Sequence, residues 1–529
     1  MASLYSHVVL PLLMYLSLIA VGWRILPGLL RSQWGLLIVF VTLVAVVYGL
    51  EGDAPVEPWH SPLDGIGWVI ALAIGVGLYF YQSQILSYFQ KPGELPPSDV
   101  RDAGGWWLER SQVEDIRTVF DQHQGPLIGL ARKDRPVWWP PGAERPHVHL
   151  IGQTGAGKGV WLQSWAWQAA AAGEAVILID PKGDTWMPRV LHAAAEAAGV
   201  PYTYLDLRAG HAQANLAARL DRAQLERVLE AGFGLYRTGG EADVWRGLER
   251  RAMAEAVEQW ATGQSISSWY RSVIASQAAD AKEWAGRAWE LARVPAINGD
   301  TDHEPIADAI DRGGVVYVRG DLGVGSVQYA VRCLTRYVML LARDRDRGAA
   351  RRPVSLILDE AAESLSLPAV EAFTQARDWG LHLVLAHTSL GDFDAPHIGA
   401  SYRKVLETIA ANCGLKMVFK LSADDAAWIS QQIGTIQEYR ESFTESESDG
   451  FRGVSSTSSR NFSQHERPFL PPGLIAAVPA GVGFAVGVPG EAPAQQVNVL
   501  PVVVGDEPAA ATETRRFEYQ PPNQNEAVI

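Results

Sequence analysis

The sequence predicts an α/β fold: a parallel sheet covered by helices and built around a phosphate-binding loop, with an all-α insertion and preceding transmembrane helices. Three observations carry that reading. From about Val148 onward, short β-rich runs alternate with longer helical stretches, the pattern of strands joined by crossover helices. A Gly-rich turn, Gly152-Gln153-Thr154-Gly155-Ala156-Gly157-Lys158, separates an apolar run from a helix-compatible one, the arrangement that cradles phosphates. Three apolar runs without a charged residue precede residue 82.

Those three runs, Val8 to Trp23, Trp34 to Leu50 and Ile66 to Tyr81, approach the ~17–25 residues that cross a bilayer. One alone could be a buried core helix; three in succession predict a membrane region over 1–90. Arg24 and Arg31 lie between the first two runs, whereas Glu51, Asp53, Glu57 and Asp64 lie between the second and third, and Lys91, Arg101 and Arg110 follow the last. The positive-inside rule therefore places the first loop and everything after Tyr81 in the cytoplasm. Pro92, Pro96 and Pro97 stiffen a linker within 91–146, which leads into the cytoplasmic part.

Candidate strands follow: Val148 to Ile151, Ala175 to Ile179, Val315 to Val318, Val354 to Leu358, His382 to Ala386, Leu415 to Phe419 and Gly483 to Val488. They define a nucleotide-binding core over 147–205 and 312–505. Between them, 206–311 reads as an all-α insertion, with stretches such as "VWRGLERRAMAEAVEQW" and "DAKEWAGRAWELARV". The Ser-rich segment from Glu441, "ESFTESESDGFRGVSSTSSRNFS", reads as a mobile loop, and the tail 506–529 as disordered.

The chain has 529 residues and a net charge of −14. That balance argues against coating duplex DNA through a broad basic surface, so any nucleic-acid contact must be local. Cys333 and Cys413 lack the spacing of a zinc site or disulfide framework and read as buried thiols. Of the 19 tryptophans, Trp23, Trp34 and Trp68 suit membrane interfaces, while Trp161, Trp165, Trp245, Trp284 and Trp289 lie in helical stretches where core packing is the default.

The chemistry centres on the Gly-rich turn. Backbone amides from Gly155 to Lys158 can curl around phosphates, the helix-compatible run from Val160 that follows adds its positive end, and the Lys158 ammonium reaches the β and γ oxygens. Gly159 stands where the common pattern has a Ser or Thr hydroxyl on Mg²⁺; water can take that place. Downstream, "LILDEAAES" supplies a strand ending in Asp359 and Glu360. Asp359 suits a Mg²⁺ ligand and Glu360 suits polarisation of the attacking water; a lone Asp-Glu pair would read as a solvated strand end, but the phosphate loop upstream favours the catalytic reading. Asp180 and Lys182, in "LIDPKGD", fit either the nucleotide or subunit interface or a simple β-to-α turn.

Taken together, "GAGKG", "LIDPKGD", "IADAIDRGGVVYV", "LILDEAAES", "ARDWGLHLVLAHTSLGDF" and "ERPFLPPGLIAAVPAG", in that order, resemble the type IV secretion coupling proteins of the conjugative TraG/TraD class. The resemblance implies a RecA-like P-loop ATPase with an inserted all-α domain, anchored in the inner membrane and assembled as a hexamer. It implies ATP and Mg²⁺ as cofactors. It also implies that the protein receives a relaxase with its single-stranded DNA, and possible protein cargo, for the inner-membrane components of a secretion channel. It adds two site residues: Arg377, where relatives place an Arg that reaches a neighbour's nucleotide, and Thr388, near the position where relatives carry a γ-phosphate-sensing Gln. Two other readings stand beside it: a DNA translocase of the FtsK or HerA type, and a membrane docking receptor with weak or no ATPase activity.

Overall fold

The computed structural model describes residues 111–277, 283–300, 304–345, 351–450 and 453–505. The three apolar runs and the tail after residue 505 lie outside the described residues. Among the described residues, no helix is long and apolar enough to cross a membrane.

In chain order the strands are β1 (Leu127–Ala131), β2 (Arg135–Trp138), β3 (Val148–Ile151), β4 (Ala175–Asp180), β5 (Tyr202–Asp206), β6 (Val315–Arg319), β7 (Val354–Leu358), β8 (Leu381–His387), β9 (Leu415–Val418), β10 (Thr435–Gly450), β11 (Gly453–Pro468), β12 (Val482–Val486) and β13 (Ala494–Asn498). Eleven of them form one sheet in the order β2-β1-β13-β12-β9-β3-β8-β7-β4-β6-β5. The stretch from β9 to β5 is parallel. From β12 to β2 the sheet continues antiparallel. Central strands such as "VHLI" and "VSLIL" are buried throughout, as a sheet covered on both faces requires.

The two faces follow from the strand's period of two. Val176 and Leu178 of β4 pack with Trp161, Leu162 and Trp165 of the helix Lys158–Ala171 and with Leu191 of the helix Met187–Ala198. Ile177 and Ile179 look the other way, into a core shared with Leu334 and Val338 of the helix Gly325–Asp344. Between β5 and β6 the described elements are mainly helical, among them Arg222–Phe233, Asp243–Val257 and Glu283–Ala292. Their Leu225, Leu229, Met253 and Trp284 join that second core. Gly232 permits the close approach of two helices there, since a Cβ in its place would stand 2.1 Å from the Cys333 sulfur. Cys333 and Cys413 are both buried and free.

Every candidate strand read from the sequence is present, with ends within two residues. Four strands of the sheet escaped that reading. β1 and β2 fall in the segment taken as linker and domain start, β5 is an outer strand of alternating "YTYLD", and β13 is a short polar run, "AQQVN". The Ser-rich segment expected to be a mobile loop instead forms β10 and β11, which pair antiparallel from Thr435 opposite Pro468 to Gly450 opposite Gly453. Thr, Phe and Val interleaved among its serines carry strand propensity that a count of serines conceals. Tryptophan packing also divides: Trp161, Trp165 and Trp284 are buried, but Trp245 and Trp289 are exposed, because Trp245 lies on the solvent side of its helix with Val244 and Leu248.

Candidate nucleotide site

The Gly-rich turn leaves β3 near the middle of the sheet and enters the helix Lys158–Ala171. Gly155 and Gly157 adopt φ of +77° and +123°, which side-chain-bearing residues rarely tolerate. Gly152 and Gly157 are also pressed by neighbours. A Cβ would come within 2.5 Å of Phe419 Cβ at the first and 3.0 Å of the Phe419 ring at the second. Thr154 and Gly155 are exposed at the apex. The turn is braced from below, Gln153 N–H donating to the Lys420 carbonyl at 2.8 Å and Ala156 N–H to the Gln153 carbonyl at 3.1 Å.

Gly157 caps the helix, and no side chain accepts from the helix's first-turn amides. Those donors and the positive helix end are thus presented to the loop. Lys158 Nζ folds back to donate to the Gly152 carbonyl at 2.5 Å. Burial lowers its proton affinity, with Glu360 and Asp359 acting in the opposite direction. Gly159 has nothing within 4 Å of a notional Cβ, so no packing contact excludes a hydroxyl there. Val160 packs partly buried against the apolar core.

Two neighbouring strands bring the remaining groups. After β7, Asp359 N–H donates to the Ile179 carbonyl at 3.0 Å, and Glu360 takes φ of +44°, a left-handed conformation that costs about 1–2 kcal/mol for a residue with a Cβ. Such strain concentrates at working sites. Asp359 is pushed up to about 7 by burial and by the carboxylates of Asp180 and Glu360. After β8, Thr388 Oγ1 lies 3.5 Å from Lys158 Nζ and 3.5 Å from Glu360 Oε1. Its backbone amide and that of Ser389 donate to Asp392 Oδ2 at 3.0 and 2.9 Å, which fixes the turn.

Lys158, Thr388, Asp359 and Glu360 therefore converge at the C-terminal ends of β3, β8 and β7, the edge where open α/β sheets hold ligands. Arg377 does not join them. It precedes β8, at the opposite end of the strands, with Nε 3.7 Å from Glu144 Oε2. Two features went unread in the sequence. Lys182 forms an ion pair with Glu360 Oε1. Beneath the loop, His149 of β3 stacks on His387 of β8, ring centroids 4.9 Å apart and Nε2 atoms 2.6 Å apart. His387 Nδ1 faces the Ser389 carbonyl at 2.9 Å and so carries the hydrogen, leaving its Nε2 to accept from His149. Burial holds both rings neutral, His387 down to about 4. The sequence placed His149 in a strand but ended the later strand at Ala386, one residue short of His387, and the register that stacks the two rings was not legible.

The donors suit a triphosphate: uncapped amides, a buried Lys and a glycine apex open to solvent. Among the described residues, no group of three or more His, Cys, Asp or Glu could hold a metal ion. Mg²⁺ takes one or two carboxylates and completes its shell with water and phosphate oxygens; a cation beside Asp359 would relieve its crowding by Asp180 and Glu360.

These four groups stand together on one edge of a mixed α/β sheet, beside a Gly-rich turn. Residues 353–480 match the family described as the TraM recognition site of TraD and TraG. A stretch of 148 residues is 33% identical to mobilization protein A of Escherichia coli, covering 27% of this chain and 27% of that protein; the match thus spans about a quarter of its relative. Among solved structures, the unbound conjugative coupling protein TrwBΔN70 has a TM-score of 0.55 at 17% identity, over 72% of this chain and 90% of that one. The plasmid coupling protein TrwB in complex with ADP and Mg²⁺ gives 0.53 at 18% identity, over 74% and 92%. The chain shares their mixed α/β fold, and its resemblance to conjugative coupling proteins is borne out.

Proposed function

We propose that this chain is an ATP-hydrolysing coupling protein of conjugative transfer, tethered to the inner membrane and working as a hexamer. It would hand relaxase-bound single-stranded DNA, with any protein cargo, to the inner-membrane components of a type IV secretion channel. The observation that carries the reading is the convergence of Lys158, Thr388, Asp359 and Glu360 on one strand edge beside an uncapped helix. The similar TrwB structure in complex with ADP and Mg²⁺ supports ATP and Mg²⁺ as the cofactors, and the TraM-recognition match supports a relaxosome partner.

In this reading the amides of Gly155 to Gly159 and the Lys158 ammonium bind the β and γ phosphates, with Gly152 to Ala156 and Val160 shaping the loop. Asp359 holds Mg²⁺, which when bound neutralises charge on the phosphate oxygens. Glu360 orients water and accepts its proton as the water oxygen bonds to the γ-phosphorus and the bond to the β–γ bridging oxygen breaks. Thr388, between Lys158 and Glu360, reports the γ-phosphate. Arg377, far from its own loop, would act on a neighbouring subunit's nucleotide.

The test is ATP hydrolysis by the full chain, with and without single-stranded DNA, beside Lys158→Ala and Glu360→Gln. Loss of the water-orienting carboxylate should cut turnover by about 100-fold or more, and a mating assay complemented with Glu360→Gln should fail. Equal background rates in all three proteins would instead support the docking receptor.

A further inference from the structure

The loop after β4 contributes a cation that the hydrolytic arrangement above does not use. Asp180, at the end of β4, is buried at 1% exposure. Its carboxylate accepts from the backbone amides of Lys182 and Gly183, both at 2.9 Å, and of Asp184 at 2.6 Å. Tyr317 donates its hydroxyl to the same carboxylate at 2.7 Å. Gly183 completes the turn at φ +78°, where a Cβ would stand 2.7 Å from Arg319 Nε. The backbone of Lys182 is thus pinned on both sides, while its side chain is 48% exposed and pairs with a Glu360 that is only 14% exposed.

The atom it holds matters. Lys182 engages Glu360 Oε1, the same oxygen that faces Thr388 Oγ1, which in turn faces Lys158 Nζ. One ammonium group therefore holds this carboxylate oxygen directly, and a second is linked to it only through Thr388, at the place where a terminal phosphate would arrive. A fixed backbone, a long solvated stem and an anionic partner at the site make a cation able to change anions without moving its loop.

We propose that Lys182 is a γ-phosphate ligand that Glu360 holds in the nucleotide-free protein, and that the terminal phosphate of a nucleoside triphosphate takes Lys182 from Glu360. This rests on the nucleotide reading above and adds a triphosphate-specific contact to it. The exchange releases the Glu360 carboxylate to orient water only when a third phosphate is present. A diphosphate, too short to reach Lys182, leaves the pair closed.

Binding of the non-hydrolysable analogue ADPNP and of ADP to the full chain, followed by calorimetry, tests this. Lys182→Met should weaken ADPNP about tenfold, the worth of one charge-assisted hydrogen bond, and leave ADP unchanged; Lys182→Arg should restore most of the loss. Glu360→Gln, by freeing Lys182, should tighten ADPNP several-fold, and that gain should vanish in the Lys182→Met, Glu360→Gln double variant. Equal losses for ADPNP and ADP would reduce Lys182 to a loop-forming residue and overturn the proposal. So would no tightening in Glu360→Gln, or tightening that persists without Lys182. A parent protein that binds neither nucleotide would instead remove the nucleotide reading itself.

Discussion

The two ends of the parallel strands carry similar charges in opposite conditions. At the N-terminal end, Glu174 is 5% exposed and is held by Arg145 Nε at 2.6 Å, Ser355 Oγ at 2.5 Å and His382 Nδ1 at 3.2 Å. Burial pushes its carboxyl up, but Arg145, His382 and Ser355 outweigh burial and hold it below the usual carboxylate range. At the C-terminal end, Asp359 has Asp180 and Glu360 for neighbours, so burial and repulsion add and its carboxyl rises to about 7. Partners, more than burial, separate a fastening from a site that awaits a ligand.

The sharpest way to test that contrast is to break the fastening. Glu174→Ala leaves Arg145 buried without its carboxylate and should cost about 3–5 kcal/mol, read as a large fall in melting temperature, while ADP affinity of the folded fraction stays as it was. A loss confined to nucleotide binding would erase the distinction between the two ends.

Asp359→Asn should do the reverse to stability. Because the folded carboxyl holds its proton to about pH 7 and an unfolded Asp only to about 3.8, the native state binds more protons between those values, and stability falls as pH rises through that window. Without nucleotide or metal, the variant should therefore melt higher than the parent at pH 8, by a few kcal/mol at most. At pH 4 it should show no advantage. An equal gain at both pH values would refute the crowded-carboxylate account.

The smallest effect is expected at Gly159. Open space around its notional Cβ predicts that Gly159→Ser changes stability by less than about 0.5 kcal/mol. A large loss would show that this end is packed as tightly as the other.

Legibility in the sequence followed the same division. The parallel strands were readable because Val, Ile and Leu runs announce burial on both faces, and the loop because Gly155 and Gly157 mark backbone that other residues rarely adopt. β13 and β5 were not, since "AQQVN" and "YTYLD" gain strand status from their neighbours in the sheet. Asp359 and Glu360 could be paired with Lys158 by motif alone. The partnership of Lys182 with Glu360, 178 residues away, depends on β4 and β7 lying side by side, which no local pattern states. Arg377 was assigned to a neighbouring subunit's nucleotide through resemblance, and strand direction puts it at the end opposite its own loop.

β1 has its own consequence for how the molecule is made. It joins the sheet by pairing Leu130 with Asn498, and nearby Arg117 reaches the Val503 carbonyl across 386 residues of chain. On a ribosome adding about 5–20 residues per second, those first residues wait roughly 20–80 s for their partners to be synthesised. During that interval the nascent chain presents an unfilled edge, and the sheet closes only once β13 has left the ribosome.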